Sequence, residues 1–205
     1  MQLFRTHYPV TTLGWGVRAG IWVQGCSVRC KGCIARDTWE ASVDGEVAED
    51  RILEWLHSLP HIDGLTISGG EPLDQGGALV SLLRLVRQTW TESFDVLCYT
   101  GRTVDEARKV CPDVFDLVDA LAVGPFEVDL PKSHPLLGSA NQELLLLTEL
   151  AEARYSDPEG LGGLQASVIG GDLVFVGVPG RGELEDMRRR AAKQGVLIQH
   201  RSWTV

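Results

Sequence analysis

The chain has 205 residues, of which 44% are hydrophobic and 23% charged, a composition that suits one globular domain with a sizeable core. Its 28 acidic and 19 basic residues give a formal charge of −9, so phosphate backbones would be repelled and no nucleic-acid partner is expected. No apolar run reaches the roughly 18 residues of a membrane helix, and the first residues lack the apolar core of a signal peptide, so neither a membrane nor export is expected.

Hydrophobic periodicity predicts a strand–loop–helix order that repeats along the first part of the chain. Strands are expected over residues 18–24, 63–68, 94–99 and 117–123, and helices over 46–59, 75–90 and 104–110. Connections of this length favour right-handed βαβ units around a parallel sheet or barrel, in which ligands bind beyond the carboxyl ends of the strands. The most distinctive motifs each follow a predicted strand, so we expect one site at that edge.

The last third of the chain predicts a different arrangement. Residues 144–155 are expected to form a strand that runs into a helix. Residues 157–163, which contain Pro158 and three glycines, are the best candidate linker, and they divide a core of residues 1–156 from an extension of residues 157–205. We expect the extension to pack on the same domain. Its predicted elements are a hairpin of residues 164–169 and 173–178, a helix of residues 182–194 and a last strand of residues 196–199.

Three of the five cysteines, Cys26, Cys30 and Cys33, follow the first predicted strand at the spacing C-x3-C-x2-C. This spacing is too tight for an internal disulfide framework, so a secreted scaffold is not indicated and a reducing cytoplasm is expected. Three thiolates can hold three irons of a cubane cluster and leave the fourth iron open. The alternative is a zinc site completed by Cys98 or Cys111. Both are predicted instead to be buried apolar residues, because one lies mid-strand and the other precedes a proline.

A second motif, Ser68-Gly69-Gly70-Glu71-Pro72, ends the next predicted strand. By itself it is a plain strand-to-helix turn. Together, the two motifs resemble the cysteine and GGE motifs of the radical S-adenosylmethionine superfamily. Within it, the chain resembles the activating enzymes of anaerobic ribonucleotide reductase over about two thirds of its length. The further matching segments are Gly14-Trp15-Gly16-Val17-Arg18, Thr38-Trp39, Tyr99-Thr100-Gly101, Gly124-Pro125-Phe126 and Gly138-Ser139-Ala140-Asn141-Gln142.

The resemblance implies an α/β fold, a partial (β/α)6 barrel with a C-terminal extension and the cluster at its carboxyl mouth. The three thiolates would carry a 4Fe–4S cluster whose fourth iron is chelated by S-adenosylmethionine. Reductive cleavage of that cofactor would yield a 5′-deoxyadenosyl radical. Glu71 would accept a hydrogen bond from the methionyl ammonium. The other cofactor-binding residues would be Ser68, Gly69, Gly70 and Thr100, with no catalytic residue beyond the cluster and cofactor ligands.

The resemblance also implies the partners, which are a glycyl-radical enzyme as substrate and a flavodoxin- or ferredoxin-type electron donor. The chain departs from the family pattern at Ala35-Arg36, where Asn-Pro is usual, and at Val123, where an aspartate is usual. These departures keep open a radical enzyme that acts on a small molecule or peptide. A non-catalytic iron–sulfur protein that transfers electrons or binds a partner is the other alternative. Glu71 with both adjacent glycines speaks against it, because an electron carrier needs no methionine-binding turn.

Overall fold

The structure is a computed structural model that describes residues 1–42, 45–90, 93–169 and 172–198. A six-stranded sheet runs through it, and its strands lie side by side in the order of the sequence. The strands are β1 (Leu3–Val10), β2 (Arg18–Val23), β3 (Gly64–Gly69), β4 (Asp95–Tyr99), β5 (Ala120–Val123) and β6 (Glu143–Leu146).

The centre of this sheet is parallel and its two edges are antiparallel. Strands β2 to β5 pair in parallel, whereas β1 pairs antiparallel with β2 and β6 antiparallel with β5. The predicted α/β fold is therefore confirmed, and its predicted parallel pairing holds for β2 to β5, whereas the two antiparallel edges make the sheet mixed. The carboxyl ends of the four parallel strands share one edge, which receives the cysteine segment after β2 and the glycine turn after β3.

Six α-helices accompany the strands in the described ranges, and the bounds of five of them agree with the predicted helices to within a few residues, whereas α4 was not predicted. They are α1 (Glu49–Ser58), α2 (Gly76–Thr89), α3 (Val104–Val110), α4 (Val114–Leu117), α5 (Glu149–Tyr155) and α6 (Glu183–Lys193). The short helix α4 occupies the start of the strand predicted over 117–123, so that strand begins only at Ala120. The backbone N–H of Val118 closes this helical turn by donating to the carbonyl of Val114 at 3.1 Å.

The two faces of the sheet are covered by separate apolar clusters. Because strand side chains alternate, Val96 and Cys98 of β4 face α1 and α2, whereas Leu97 packs on the opposite face against Tyr155 of α5. Helix α2 contributes a stripe of fully buried residues, each worth about 1.5–3 kcal/mol of transfer free energy. The stripe consists of Leu79, Leu82, Leu83 and Val86. This packing fixes the strand ends that carry the site.

The C-terminal extension contains the predicted hairpin, in which β7 (Leu164–Ile169) pairs antiparallel with β8 (Asp172–Gly177). Residues 170 and 171, where a hairpin turn was predicted, lie outside the described residues. The hairpin contacts the N-terminal part of the chain, where Val176 packs with Val10 and the Thr12 hydroxyl donates to the Val176 carbonyl at 2.9 Å. The last predicted strand is wrong for residues 196–198, which have no regular structure, and Gln199 lies outside the described residues. The domain boundary after residue 156 stays a prediction.

Among the described helices, none combines the length and the apolar character needed to cross a bilayer.

Candidate active site

The cysteine loop, residues 24–39, leaves the carboxyl end of β2 and folds back against its own start. Gly25, Arg29 and Gly32 take left-handed φ values of +96°, +49° and +78°, which produce the sharp changes of direction. The return is fixed by backbone hydrogen bonds, since the Gly25 N–H donates to Thr38 at 2.8 Å and the Cys26 N–H donates to Trp39 at 3.0 Å. The loop is therefore closed by the protein before any ligand is considered.

The thiols of Cys26, Cys30 and Cys33 are free and half-buried. Backbone N–H groups of the loop approach the sulfurs, with 3.5 Å from Arg29 N to Cys26 Sγ and 3.4 Å from Ala35 N to Cys33 Sγ. Burial raises the pKa of the Cys26 and Cys30 thiols, and the neighbouring loop thiols raise both further. A metal must displace the protons of these thiols to bind.

The segment that follows β5 lies beside the Cys30 thiol. The backbone N–H of Phe126, in the Gly124-Pro125-Phe126 segment, donates toward the Cys30 thiol and partly opposes the effect of burial on its pKa. A Cβ on Gly32 would lie 2.8 Å from Val128 in the segment that follows, so only glycine fits this contact without movement. The segment after β5 therefore forms a wall beside Cys30.

Cys98 and Cys111 are buried in the apolar core on the α2 side of the sheet, as predicted. Within the described ranges, no three His, Cys, Asp or Glu side chains are grouped closely enough to hold a single metal ion. The alternative of one zinc ion therefore gains no support from the described residues. A cubane cluster is larger than one ion, and its thiolate ligands stand further apart than those of a mononuclear site.

The Glu71 turn, residues 69–75, follows β3 and is joined to the start of the cysteine loop. The Gly70 N–H donates to Val23 at 2.9 Å, and the Glu71 N–H donates to Gly25 at 2.8 Å. A Cβ on Gly70 would lie 2.0 Å from the Gly25 carbonyl oxygen, and one on Gly69 would lie 2.4 Å from Val23 N. Both glycines were predicted to bind the cofactor. In the structure they allow a close approach to the backbone of β2 and of the cysteine loop.

The Glu71 side chain is only 1% exposed and connects the ends of β3 and β4. Its Oε1 accepts from Leu73 N at 3.0 Å and from the Thr100 hydroxyl at 2.7 Å, and its Oε2 accepts from Gly101 N at 2.8 Å. Burial raises the pKa of this carboxyl, and the hydrogen bonds and the positive charge of Arg102 act in the opposite direction. Of the roughly four acceptor positions of a carboxylate, one on Oε2 is left for another donor.

Two further residues were predicted to bind the cofactor. Thr100 is 4% exposed, and its hydroxyl, which donates to Glu71, also accepts a hydrogen bond from the Arg102 N–H at 3.1 Å. Ser68 is half-buried near the end of β3. The structure therefore brings Gly69, Gly70, Glu71 and Thr100 into one hydrogen-bonded unit with the cysteine loop. Their contacts to a cofactor stay a prediction.

A cluster that the sequence did not predict, here called the loop clamp, consists of Ser27, Asp74 and Arg102. The carboxylate of Asp74 accepts from the Ser27 N–H at 2.7 Å and from the Ser27 hydroxyl at 2.8 Å. The Arg102 guanidinium lies 2.5 Å from Asp74 Oδ1 and 3.1 Å from Ser27 Oγ. Asp74 follows β3 and Arg102 follows β4. Their positions after the ends of two parallel strands were the only signal in the sequence that could have predicted this cluster.

The departures from the family pattern have local structural roles. Val123 is 2% exposed and belongs to the apolar core, where an unpaired carboxylate would be costly. The Ala35 carbonyl accepts from the Thr38 N–H at 3.0 Å, which starts a short 3-10 helix. The guanidinium of Arg36 lies 5.0 Å from the centre of the Trp39 ring, within cation–π distance. None of these three positions removes a thiol or a contact of Glu71.

The residues at this edge fit a polar, thiolate-bound cofactor. Among the described residues, three of the four buried side-chain atoms that lack a hydrogen-bond partner belong to segments at this end of the sheet. They are Trp39 Nε1, Arg102 Nε and Asn141 Oδ1, whereas the fourth, Tyr99 Oη, lies within electrostatic reach of Arg18. Each such group costs about 1–3 kcal/mol unless something pairs with it. Three clustered thiols with N–H groups directed at sulfur are also the donor set of an iron–sulfur cluster.

A surface cleft of about 670 Å³ opens beside Cys26. Ser27, Arg29, Trp39 and Asp74 contribute to its lining, whereas Cys30, Cys33 and Glu71 do not. The cleft therefore borders the cysteine loop on the Cys26 side only and does not enclose the whole candidate site.

Comparison with known proteins agrees with these features. Residues 12–145 match the family described as a 4Fe-4S single cluster domain. The anaerobic ribonucleoside-triphosphate reductase-activating protein of Vibrio cholerae is 32% identical over 149 residues, which cover 68% of this chain and 94% of that protein. The protein of the same name from Enterobacteria phage T4 is 30% identical over 135 residues, or 64% of this chain and 85% of that protein.

A more distant likeness extends to a second kind of activating enzyme. The pyruvate formate-lyase-activating enzyme of Clostridium pasteurianum is 36% identical over 80 residues, which cover 37% of this chain and 34% of that enzyme. The resemblance read from the cysteine and Glu71 motifs is thereby confirmed. The chain belongs to the 4Fe-4S single cluster domain family and to the family of anaerobic ribonucleoside-triphosphate reductase-activating proteins.

Proposed function

We propose that this chain is a radical S-adenosylmethionine enzyme that generates a glycyl radical on a partner enzyme. The observation that carries the proposal is the direct hydrogen bonding of the Glu71 turn to the cysteine loop, in a chain related to reductase-activating proteins. By its relatives' names, the most direct partner is an anaerobic ribonucleoside-triphosphate reductase.

In this proposal the thiolates of Cys26, Cys30 and Cys33 hold a 4Fe–4S cluster. The loop supplies three thiolates only, so one iron stays open for the cofactor. The N–H groups of Arg29 and Ala35, directed at sulfur, stabilise negative charge on the ligands. When bound, the cluster and S-adenosylmethionine supply the reductive cleavage that yields the 5′-deoxyadenosyl radical.

Glu71 holds the cofactor through the acceptor position that its three internal hydrogen bonds leave open. A charge-assisted hydrogen bond from the methionyl ammonium to this carboxylate would be short and strong in a buried site. Thr100 orients the carboxylate by donating to Oε1, and it does not need to touch the cofactor itself. Ser68, Gly69 and Gly70 bring the backbone of the turn to the same edge.

The proposal also covers the barrel architecture, the electron donor and the cellular compartment. The four parallel strands with their helices are taken as part of a partial (β/α)6 barrel, with residues 157–205 as a separate extension. A flavodoxin- or ferredoxin-type protein is the proposed electron donor. The cytoplasm is the proposed compartment, because free thiols must stay reduced until a metal binds them.

Anaerobic reconstitution of the cluster, followed by chemical reduction and addition of S-adenosylmethionine, tests the chemistry. We expect 5′-deoxyadenosine to form in the wild type and not in the Cys30→Ala variant. Absence of this product in wild-type protein that contains its iron and sulfide would overturn the enzymatic proposal. The result would favour an iron–sulfur protein without radical chemistry.

A second experiment separates a protein substrate from a small one. The reduced enzyme is mixed with an anaerobic ribonucleoside-triphosphate reductase, and the protein radical is observed by electron paramagnetic resonance. A reductase whose radical-forming glycine is replaced by alanine is the matched control. Cofactor cleavage without a glycine-dependent signal would contradict the proposed substrate and favour a small molecule or peptide.

A further inference from the structure

We propose that Asp74 and Arg102 are positioning residues that hold the cysteine loop on the Glu71 turn and set the electrostatic environment of the cluster. The inference rests on the proposed function, since it assumes that the loop carries a cluster. It concerns the loop clamp, which lies outside the thiol ligands and outside the predicted cofactor contacts.

The first support is the attachment of Ser27, the residue directly after Cys26. One carboxylate, that of Asp74, accepts both the backbone N–H and the hydroxyl of Ser27, at 2.7 and 2.8 Å. The Asp74 and Arg102 side chains are only 24% and 22% exposed, so their ion pair is partly shielded from water. Hydrogen bonds to a charged acceptor in such a place are stronger than neutral ones. A ligand-bearing loop is thereby fixed from outside.

The second support is that Arg102 contacts both halves of the site. Its guanidinium reaches Asp74 and Ser27, while its backbone N–H donates to Thr100 Oγ1, which in turn donates to Glu71. The Nε of the same guanidinium is buried without a partner. One residue therefore couples the position of the loop to the position of the Glu71 carboxylate.

The charges of the pair give the proposal a distinctive signature. Net charge and hydrogen bonding around an iron–sulfur cluster set its reduction potential. Loss of the Arg102 charge leaves the Asp74 carboxylate uncompensated next to a ligand loop, which disfavours reduction and makes the potential more negative. Loss of the Asp74 charge leaves the guanidinium uncompensated and makes the potential more positive. A purely structural loosening would not predict opposite signs for the two changes.

The experiment uses full-length protein with its reconstituted cluster and without S-adenosylmethionine. The variants are Arg102→Gln, Asp74→Asn and the double variant. The control is Arg84→Gln on α2, which breaks the exposed ion pair of Arg84 with Asp113. Redox titration followed by electron paramagnetic resonance should give a lower potential for the first and a higher potential for the second. The double variant should return toward the wild type, and the control should not differ from it.

Hydrogen exchange in the metal-free protein gives a readout that needs no cluster. Loss of the charged hydrogen bonds to Ser27 should speed exchange of the amides of residues 26–33 by roughly tenfold in Asp74→Asn. Arg102→Lys, which keeps the positive charge, should have the wild-type potential. If Arg102→Gln retains too little cluster to titrate, the comparison is made between Arg102→Lys and Asp74→Asn, of which only the second should differ from the wild type. Potentials that shift in the same direction in both single variants, or that do not shift, would overturn the proposal. Neither readout requires cofactor cleavage. A failure of this proposal can therefore be distinguished from a failure of the proposed enzymatic function.

Discussion

The amino and carboxyl ends of the parallel strands differ in how completely their buried polar groups are hydrogen-bonded. At the amino end, Arg18 and Asp95 have fully buried side chains and form a bidentate pair with both distances at 2.9 Å. Arg154 and the Tyr155 hydroxyl also donate to Asp95, and the Arg18 Nε donates to Thr66 at 2.7 Å. The protein itself satisfies this network, which joins the starts of β2 and β4 to helix α5.

The carboxyl end differs in being only partly satisfied. It has three half-buried thiols, and three of the four buried side-chain atoms without a partner among the described residues belong to its segments. A buried polar group without a partner costs free energy, so the concentration of such groups at this end is typical of a ligand-binding end rather than a structural one. The contrast is informative because both ends belong to the same four strands.

The largest effect that the contrast predicts is loss of the cluster. Replacement of Cys26, Cys30 or Cys33 by alanine should abolish iron binding, because each removes one of three loop thiolates. Cys98→Ala and Cys111→Ala should keep the wild-type iron content, since both residues lie in the apolar core. Iron and sulfide analysis after anaerobic reconstitution measures the outcome. Iron loss in folded Cys98→Ala protein would show that three loop ligands are not the complete set.

At the amino end, the largest effect should be on stability. Asp95→Asn leaves the fully buried Arg18 charge without its counterion and should cost about 3–5 kcal/mol of unfolding free energy. Urea denaturation of the metal-free protein measures it. The control Asp113→Asn, which affects an exposed pair with Arg84, should cost less than about 1 kcal/mol. Equal effects of the two variants would contradict the structural role of this end.

A smaller effect is expected where the Glu71 turn meets the cysteine loop. In Gly70→Ala the new Cβ would lie 2.0 Å from the Gly25 carbonyl oxygen, and the backbone shift that relieves this contact should cost about 1–3 kcal/mol. Gly77→Ala is the matched control, because its Cβ meets nothing within 4 Å at the start of α2. That variant should be neutral or more stable by up to about 1 kcal/mol. A destabilised control would contradict the explanation from the close contact.

The smallest expected effect is a difference in proton binding. Burial tends to raise the pKa of Asp95, but the Arg18 and Arg154 charges and the hydrogen bonds from Arg18 and Tyr155 together outweigh it and hold the pKa below the ordinary value. Its stabilising contribution is therefore complete above about pH 3.9 and is lost as the pH falls through the lower, folded value. The pKa of Glu71 is raised by burial, so its contribution to stability grows as the pH falls from its folded value toward about 4.3.

Carbon NMR titration of the side-chain carboxyls in the metal-free protein measures both groups, with Glu71→Gln and Asp95→Asn for assignment. Midpoints shifted in the same direction would contradict the contrast between the two ends.

Sequence reasoning located the elements that have a strong local pattern. Strands β2 to β5 were found from apolar runs that end in glycines, and the hairpin of the extension from two apolar runs on either side of the sequence Gly170-Gly171. Strand β1 was not predicted, because six of its eight residues are half-buried and no alternation marks a face. Its sequence also contains Arg5, His7 and Pro9, which do not indicate a strand.

The same limit applies to the candidate site. The three cysteines are close to one another in sequence, and so are the glycines and Glu71 of the turn, so each motif could be recognised from its spacing. The burial of Glu71 and the loop clamp depend on partners 28 to 75 residues away, and no local periodicity encodes such pairs. Val123 could be recognised as a departure, but its place in the apolar core required the packed structure.

The position of the cysteine loop within the chain has a consequence for the order of assembly. The loop belongs to the long connection between β2 and β3, and the groups that brace it, Asp74 and Arg102, come later in the sequence. During synthesis from the N-terminus, the three thiols leave the ribosome before either brace exists. A loop braced by Asp74 and Arg102 therefore exists only after β3 and β4 have folded. Until then, only the backbone hydrogen bonds between the two ends of the loop, from Gly25 to Thr38 and from Cys26 to Trp39, can restrain the thiols.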